Sequence, residues 1–65
     1  MKLEYDKEVD VAYLYLKYPL KDGECKKTIE LQEGIIADYD ASGKLLGIEI
    51  LNASKILSKE VIHEA

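Results

Sequence analysis

Arginine, phenylalanine and tryptophan are absent from this 65-residue chain, and cysteine, histidine, proline and methionine occur once each. Each shortage closes a possibility. A single cysteine, Cys25, cannot form an intrachain disulfide. One cysteine with one histidine, His63, cannot build a Cys/His zinc site within one chain. With no arginine and a net charge of −4, the chain lacks the basic surface that phosphate contacts need, so direct nucleic-acid binding is not expected. No apolar run approaches the roughly 20 residues of a membrane span, and no signal-peptide core opens the chain. A lone thiol without an export signal fits a reducing compartment, and the expected location is the cytoplasm.

What is present argues for a folded protein. Hydrophobic residues make up 48% of the sequence, well above the range of disordered chains. The length allows one domain, residues 1–65. A chain this short buries only about 60% of the surface its unfolded form exposes, so its core is thin. With disulfides and zinc excluded, association is the remaining support, and a homodimer is expected.

Turn residues divide the chain into short β-like runs. Lys2–Tyr5 reads as a first strand and Asp6–Asp10 as a carboxylate-rich turn. Val11–Lys17 is a second strand, with Ala12, Leu14 and Leu16 on one face and Val11, Tyr13 and Tyr15 on the other. Pro19 ends it. Glu24–Leu31 alternates as a third strand, with Cys25, Lys27, Ile29 and Leu31 opposed to Lys26, Thr28 and Glu30. Two more strands, Ile35–Asp40 and Lys44–Leu51, flank Asp40-Ala41-Ser42-Gly43, a strong hairpin signal of a type I turn closed by a left-handed glycine.

An unbroken register from that turn pairs Tyr39 with Leu45, Asp38 with Leu46, Ala37 with Gly47 and Ile36 with Ile48. One face then holds Ile36, Leu46, Ile48 and Ile50, and the other Ile35, Ala37, Tyr39, Leu45 and Leu51. Both are apolar, so a second layer must cover one of them. The tail supplies a candidate. Asn52 or Ser54 can cap a helical turn through Lys55–Leu57, and Ser58 a second through Lys59–His63. Such short helices form only when docked. The predicted fold is mainly β, a curved antiparallel meander of four or five strands with a short C-terminal helix. The expected interface residues are Tyr13, Tyr15, Ile35, Tyr39, Leu45 and Leu51 of the sheet, with Ile56, Leu57, Val61 and Ile62 of the tail.

No residue pattern reaches catalytic specificity, so no catalytic, cofactor-binding or metal-binding residues are assigned and the chain is not read as an enzyme. Asp6, Asp10, Asp38, Asp40 and Glu49 invite a reading as acid–base groups or hard-cation ligands. Asp6, Asp10 and Asp40 lie at turns, where aspartate bonds the backbone, and the unbroken register puts Asp38 and Glu49 on opposite faces. The five tyrosines suit packing or interface roles better than base stacking, which wants arginine and lysine nearby. Cys25 has no marked base, and His63 sits at a helix end.

The ordered combination of Tyr5-Asp6 with Asp10, Tyr13-Leu14-Tyr15-Leu16, Gly34–Asp40, Gly43–Leu51 and Ala53-Ser54-Lys55 resembles the short prokaryotic proteins grouped as domain of unknown function 2283. The resemblance spans nearly the whole chain except Pro19–Glu30, and Ala37 is smaller than the Leu or Val expected in its block. It implies a small β-rich domain with no defined catalytic residues, and an antitoxin-like partner of a small toxin encoded beside it. The resulting expectation is a non-catalytic interaction module that binds a basic protein. The alternative is a small-molecule or metal-binding domain that uses the carboxylates of the Asp6–Asp10 turn.

Overall fold

Alternating runs bounded by turn residues give five strands, and the apolar tail gives two short helices. The computed structural model describes residues 1–65: β1 Lys2–Asp6, β2 Val11–Tyr15, β3 Lys27–Gln32, β4 Ile35–Tyr39, β5 Leu45–Leu51, α1 Ala53–Ile56 and α2 Lys59–His63. All strand pairs are antiparallel in one sheet of order β1-β2-β5-β4-β3. The predicted architecture, mainly β with a helical tail, is the observed one. The connection after β2 carries the chain to the far edge, and β3, β4 and β5 then fold back until β5 lies beside β2.

Two strand limits differ from the sequence reading by more than one residue. β2 stops at Tyr15 rather than Lys17, because the N–H groups of Leu16 and Lys17 both donate to the Leu46 carbonyl, at 3.0 and 3.2 Å. That shared acceptor ends the ladder. β3 begins at Lys27 rather than Glu24, which leaves Cys25 exposed in the loop before it.

The β4–β5 turn forms as its residues demand. Asp40 N–H donates to the Lys44 carbonyl at 2.9 Å, and Gly43, at φ +86°, donates to the Asp40 carbonyl at 3.0 Å. One Asp40 carboxylate oxygen accepts from Lys44 N–H, Ser42 N–H and the Ser42 hydroxyl at 2.8–2.9 Å. The Lys44 amide foremost, then the Ser42 hydroxyl, hold this carboxyl below its ordinary pKa.

Beyond the turn the register departs from the unbroken one. Tyr39 does pair with Leu45, but Asp38 then pairs with Gly47, Ala37 with Ile48, Ile36 with Glu49 and Ile35 with Ile50. β5 carries one extra residue, a β-bulge that leaves Leu46 without a partner in β4. Because side chains alternate with a period of two, this single residue exchanges the faces of β5 relative to β4. Ile48 and Ile50 therefore join Ile35 and Ala37, whereas Leu51 moves to the face of Ile36. The expected grouping of Ile36 with Ile48 and Ile50, and of Leu51 with Ile35, is corrected by the bulge.

The core is small. Ala12, Ala37 and Ala53 are fully buried, Leu46 and Ile50 nearly so, and only seven of 65 residues are buried in all. Ala53 joins Ala12 and Ile50, with Leu3, Tyr5, Ile48 and Leu57 packed around them. The N-terminus of α1 is held from a distance. Asn52, the residue before the helix, makes no side-chain cap, and the Asp10 carboxylate instead accepts from Ser54 N–H at 2.9 Å and Ser54 Oγ–H at 2.7 Å. The Asp10 carbonyl accepts from Ala53 N–H at 2.9 Å. Asp10 thus satisfies the free donors that open a helix. It adopts φ +56° to do so, a conformation aspartate tolerates better than most residues. α2 is capped as its sequence suggests, Ser58 Oγ accepting from Val61 N–H at 3.2 Å.

Candidate functional site

Strand pairing sorts the sheet into two unlike faces. Across the strands, one face reads Tyr5-Ala12-Ile50-Ile35 in one row and Leu3-Leu14-Ile48-Ala37-Ile29 in the next. The tail lies on this apolar face through Ala53 of α1 and Leu57, over β1, β2 and β5. The β3 side is left open, with every residue of β3 exposed, Ile29 and Leu31 among them.

The opposite face reads Lys2-Tyr15-Gly47-Asp38-Thr28, then Glu4-Tyr13-Glu49-Ile36-Glu30, then Asp6-Val11-Leu51. Five carboxylates stand here against one ammonium. The bulge brings Asp38 and Glu49, expected on opposite faces, onto this same surface.

Tyrosine organises the second face. Tyr13 leans diagonally over Gly47, where a Cβ would lie 2.5 Å from Tyr13 Cε1, and its hydroxyl donates to Asp38 at 2.7 Å. Thr28 donates to the other Asp38 oxygen at 2.9 Å. Tyr15 donates to Glu4 at 2.9 Å, and its ring lies between those of Tyr13 and Tyr18, with centroids 4.6 and 5.0 Å away. At the end of this ladder the Lys2 ammonium sits 4.4 Å above the Tyr18 ring and 3.7 Å from Glu4.

Three phenols are held neutral. Desolvation, then the Asp38 hydrogen bond, pushes Tyr13 far above the ordinary tyrosine pKa. Hydrogen bonding to Asp10 raises Tyr5, and hydrogen bonding to Glu4 raises Tyr15. A phenol with a raised folded pKa stabilises the fold fully below its unfolded value, about 10, and that support is lost as pH climbs through the folded value. In an alkaline titration followed by tyrosinate absorbance, Tyr5, Tyr13 and Tyr15 ionise late, with loss of circular dichroism accompanying the last of them. Ionisation of these three phenols near the ordinary pKa, with the fold intact, contradicts this.

The expected interface residues are split by the structure. Tyr13, Tyr15 and Leu51 lie on the acidic face, and Ile35 and Tyr39 on the apolar one. Leu45, beside the bulge, and Ile56 and Val61 on the tail are exposed, whereas Ile62 is half-buried and Leu57 packs on the core. Tyr18, Asp38, Glu49 and Gly47 belong with the acidic face and were outside that set. Gly47, an isolated glycine within a strand-like run, is the sequence signal for a bulge or close approach here.

The turn carboxylates are already engaged. Asp10 takes Tyr5 Oη–H at 2.7 Å as well as Ser54, and these bonds, that from Tyr5 foremost, hold its carboxyl below the usual range. Asp6 accepts from Glu8 N–H at 3.0 Å. No three His, Cys, Asp or Glu side chains come together as a metal-binding group. No helix is long and apolar enough to cross a membrane.

Comparison with known proteins adds family but no activity. Uncharacterized protein MJ0789 of Methanocaldococcus jannaschii is 42% identical over 59 residues, covering 89% of this chain and 46% of that protein. The chain therefore spans about half the length of the curated relative it matches. No solved structure matches it. A family model described as a protein of unknown function, DUF2283, matches residues 2–54, which take in all five strands and the Asp10–Ser54 tie. The chain belongs to the DUF2283 family.

Proposed function

We propose that this chain is a non-catalytic interaction module that self-associates through its apolar sheet face and binds a basic protein, in the manner of an antitoxin. The observation that carries the reading is the partly covered sheet. Only Ala53 of the four-residue α1 and Leu57 after it cover β1, β2 and β5, while Ile29, Leu31 and Leu45 stay exposed. A domain with so thin a core gains from covering such side chains with a second copy. The carboxylate excess of the other face suits a basic partner.

Sedimentation over a dilution series tests the first half: the expected species is a dimer that Ile29→Lys with Leu45→Lys converts to a folded monomer. A monomer at every concentration removes self-association. Tagged protein purified from its native host tests the second half, with a small basic protein expected in stoichiometric amount. Recovery of the chain alone removes the basic partner.

A further inference from the structure

Strand β1 is an open edge of the sheet, and the chemistry on its two sides differs. Lys2, Glu4 and Asp6 project to the acidic face, and Leu3 and Tyr5 to the apolar face. A shallow, open cavity of about 750 Å³ lies along this edge, where Glu4, Asp6 and Glu8 outnumber Lys2 and Lys7, Leu3 and Tyr5 supply apolar surface, and the C-terminal Ala65 also reaches the lining. A free strand edge offers unpaired N–H and C=O groups to an extended segment, which then alternates its side chains between the two faces. Alternate residues of such a segment would meet Lys2, Glu4 and Asp6, and those between would meet Leu3 and Tyr5.

The charge on this surface is unbalanced. The chain has two ion pairs, Lys2–Glu4 and Lys17–Glu24, so Asp6, Glu30, Asp38 and Glu49 on this face have no cationic partner. The face already shows how it takes a cation: the Lys2 ammonium rests over the Tyr18 ring beside Glu4. Guanidinium groups suit the same combination of ring face and carboxylate.

Resting on the basic-partner reading, we infer that the edge of β1 accepts, as a sixth strand, a partner segment that alternates basic with apolar residues. The occupant is defined by that pattern as much as by its charge.

The test uses the full chain and synthetic peptides of about six residues, the usual strand length. One alternates arginine with valine; a second has the same composition with the arginines consecutive. Titrations run at about 0.15 M salt, where loose charge attraction is screened. The alternating peptide is expected to bind at least about tenfold more tightly than its rearranged form, a difference of about 1.4 kcal/mol. It is also expected to slow amide exchange in β1, but not in the other edge strand, β3. Glu4→Lys weakens it at least tenfold, and the milder Glu4→Gln weakens it less while keeping a hydrogen-bond acceptor for Tyr15. Equal binding of both peptides, or protection of β3 instead of β1, overturns the edge assignment and leaves the basic-partner reading standing. Failure of both peptides to bind also overturns the assignment, and the partner reading falls with it only if the native-host purification yields no basic protein.

Discussion

Replacing Gly47 with alanine is expected to destabilise the protein by about 2–3 kcal/mol, the upper range for forcing an extra methyl into a packed site. The added Cβ would stand 2.5 Å from Tyr13 Cε1, and 2.7 Å from both the Tyr13 hydroxyl and the backbone carbonyl of Leu14. The ring can swing aside, at the cost of its hydrogen bond to Asp38. The carbonyl belongs to β2, whose pairing with β5 cannot shift without disturbing the central ladder. In a domain of this size each kcal/mol moves the thermal midpoint by about 4–8 °C, so a fall of about 10–20 °C is expected. A cycle with Tyr13→Leu separates the two clashes. Removing the ring recovers part of the loss and the Leu14 contact keeps the rest. A Gly47→Ala protein as stable as the parent shows that the tyrosine does not pack on this glycine.

Gly47 also shows where sequence reading stops. The hairpin from Asp40 to Gly43, the alternation of Val11–Tyr15 and the Ser58 cap were all legible, because each depends on neighbours within a few residues. The bulge at Leu46 was not. Either register pairs Tyr39 with Leu45, and local propensity does not choose between them. The choice falls to distant partners: with the bulge, Ile48 and Ile50 meet Leu14 and Ala12 of β2, and Gly47 makes room for Tyr13. Without it, both faces of the hairpin are apolar. The slip therefore creates the two-faced sheet, and with it the acidic surface that no single strand reveals.

Asp10 does lie at a turn and bond the backbone, as its sequence position suggests, but its partner is distant for a similar reason. Turn aspartates usually bond their own loop, as Asp40 does. Asp10 reaches 44 residues along the chain to Ser54, a contact that exists only once β2 and β5 are paired. The family match ends at that serine, so the segment it covers is the sheet together with the tie that anchors α1.

The second large effect is expected at Ile50, which lies between Ala12 on β2 and Ile35 on β4 beneath Ala53. Along with Leu46 it is one of two large apolar side chains that the fold buries. Ile50→Ala removes three carbons, and the adjoining Ala12 and Ala53 have only methyl groups with which to fill the space, so a loss of about 2–4 kcal/mol is expected. A hydrophobic core of this size supplies no more than about 3–5 kcal/mol, which leaves the isolated variant largely unfolded at room temperature. Association alters that outcome in a measurable way. Only folded chains can form the proposed dimer, so each tenfold rise in protomer concentration adds about 1.4 kcal/mol per dimer to apparent stability. Circular dichroism of Ile50→Ala across a concentration series is expected to show the β-sheet signal returning as concentration rises, with Ile29→Lys in the same chain abolishing the recovery. A variant whose folded fraction is the same at every concentration separates the stability of this fold from self-association, and the open β3 side of the apolar face is then a surface the monomer carries unaided.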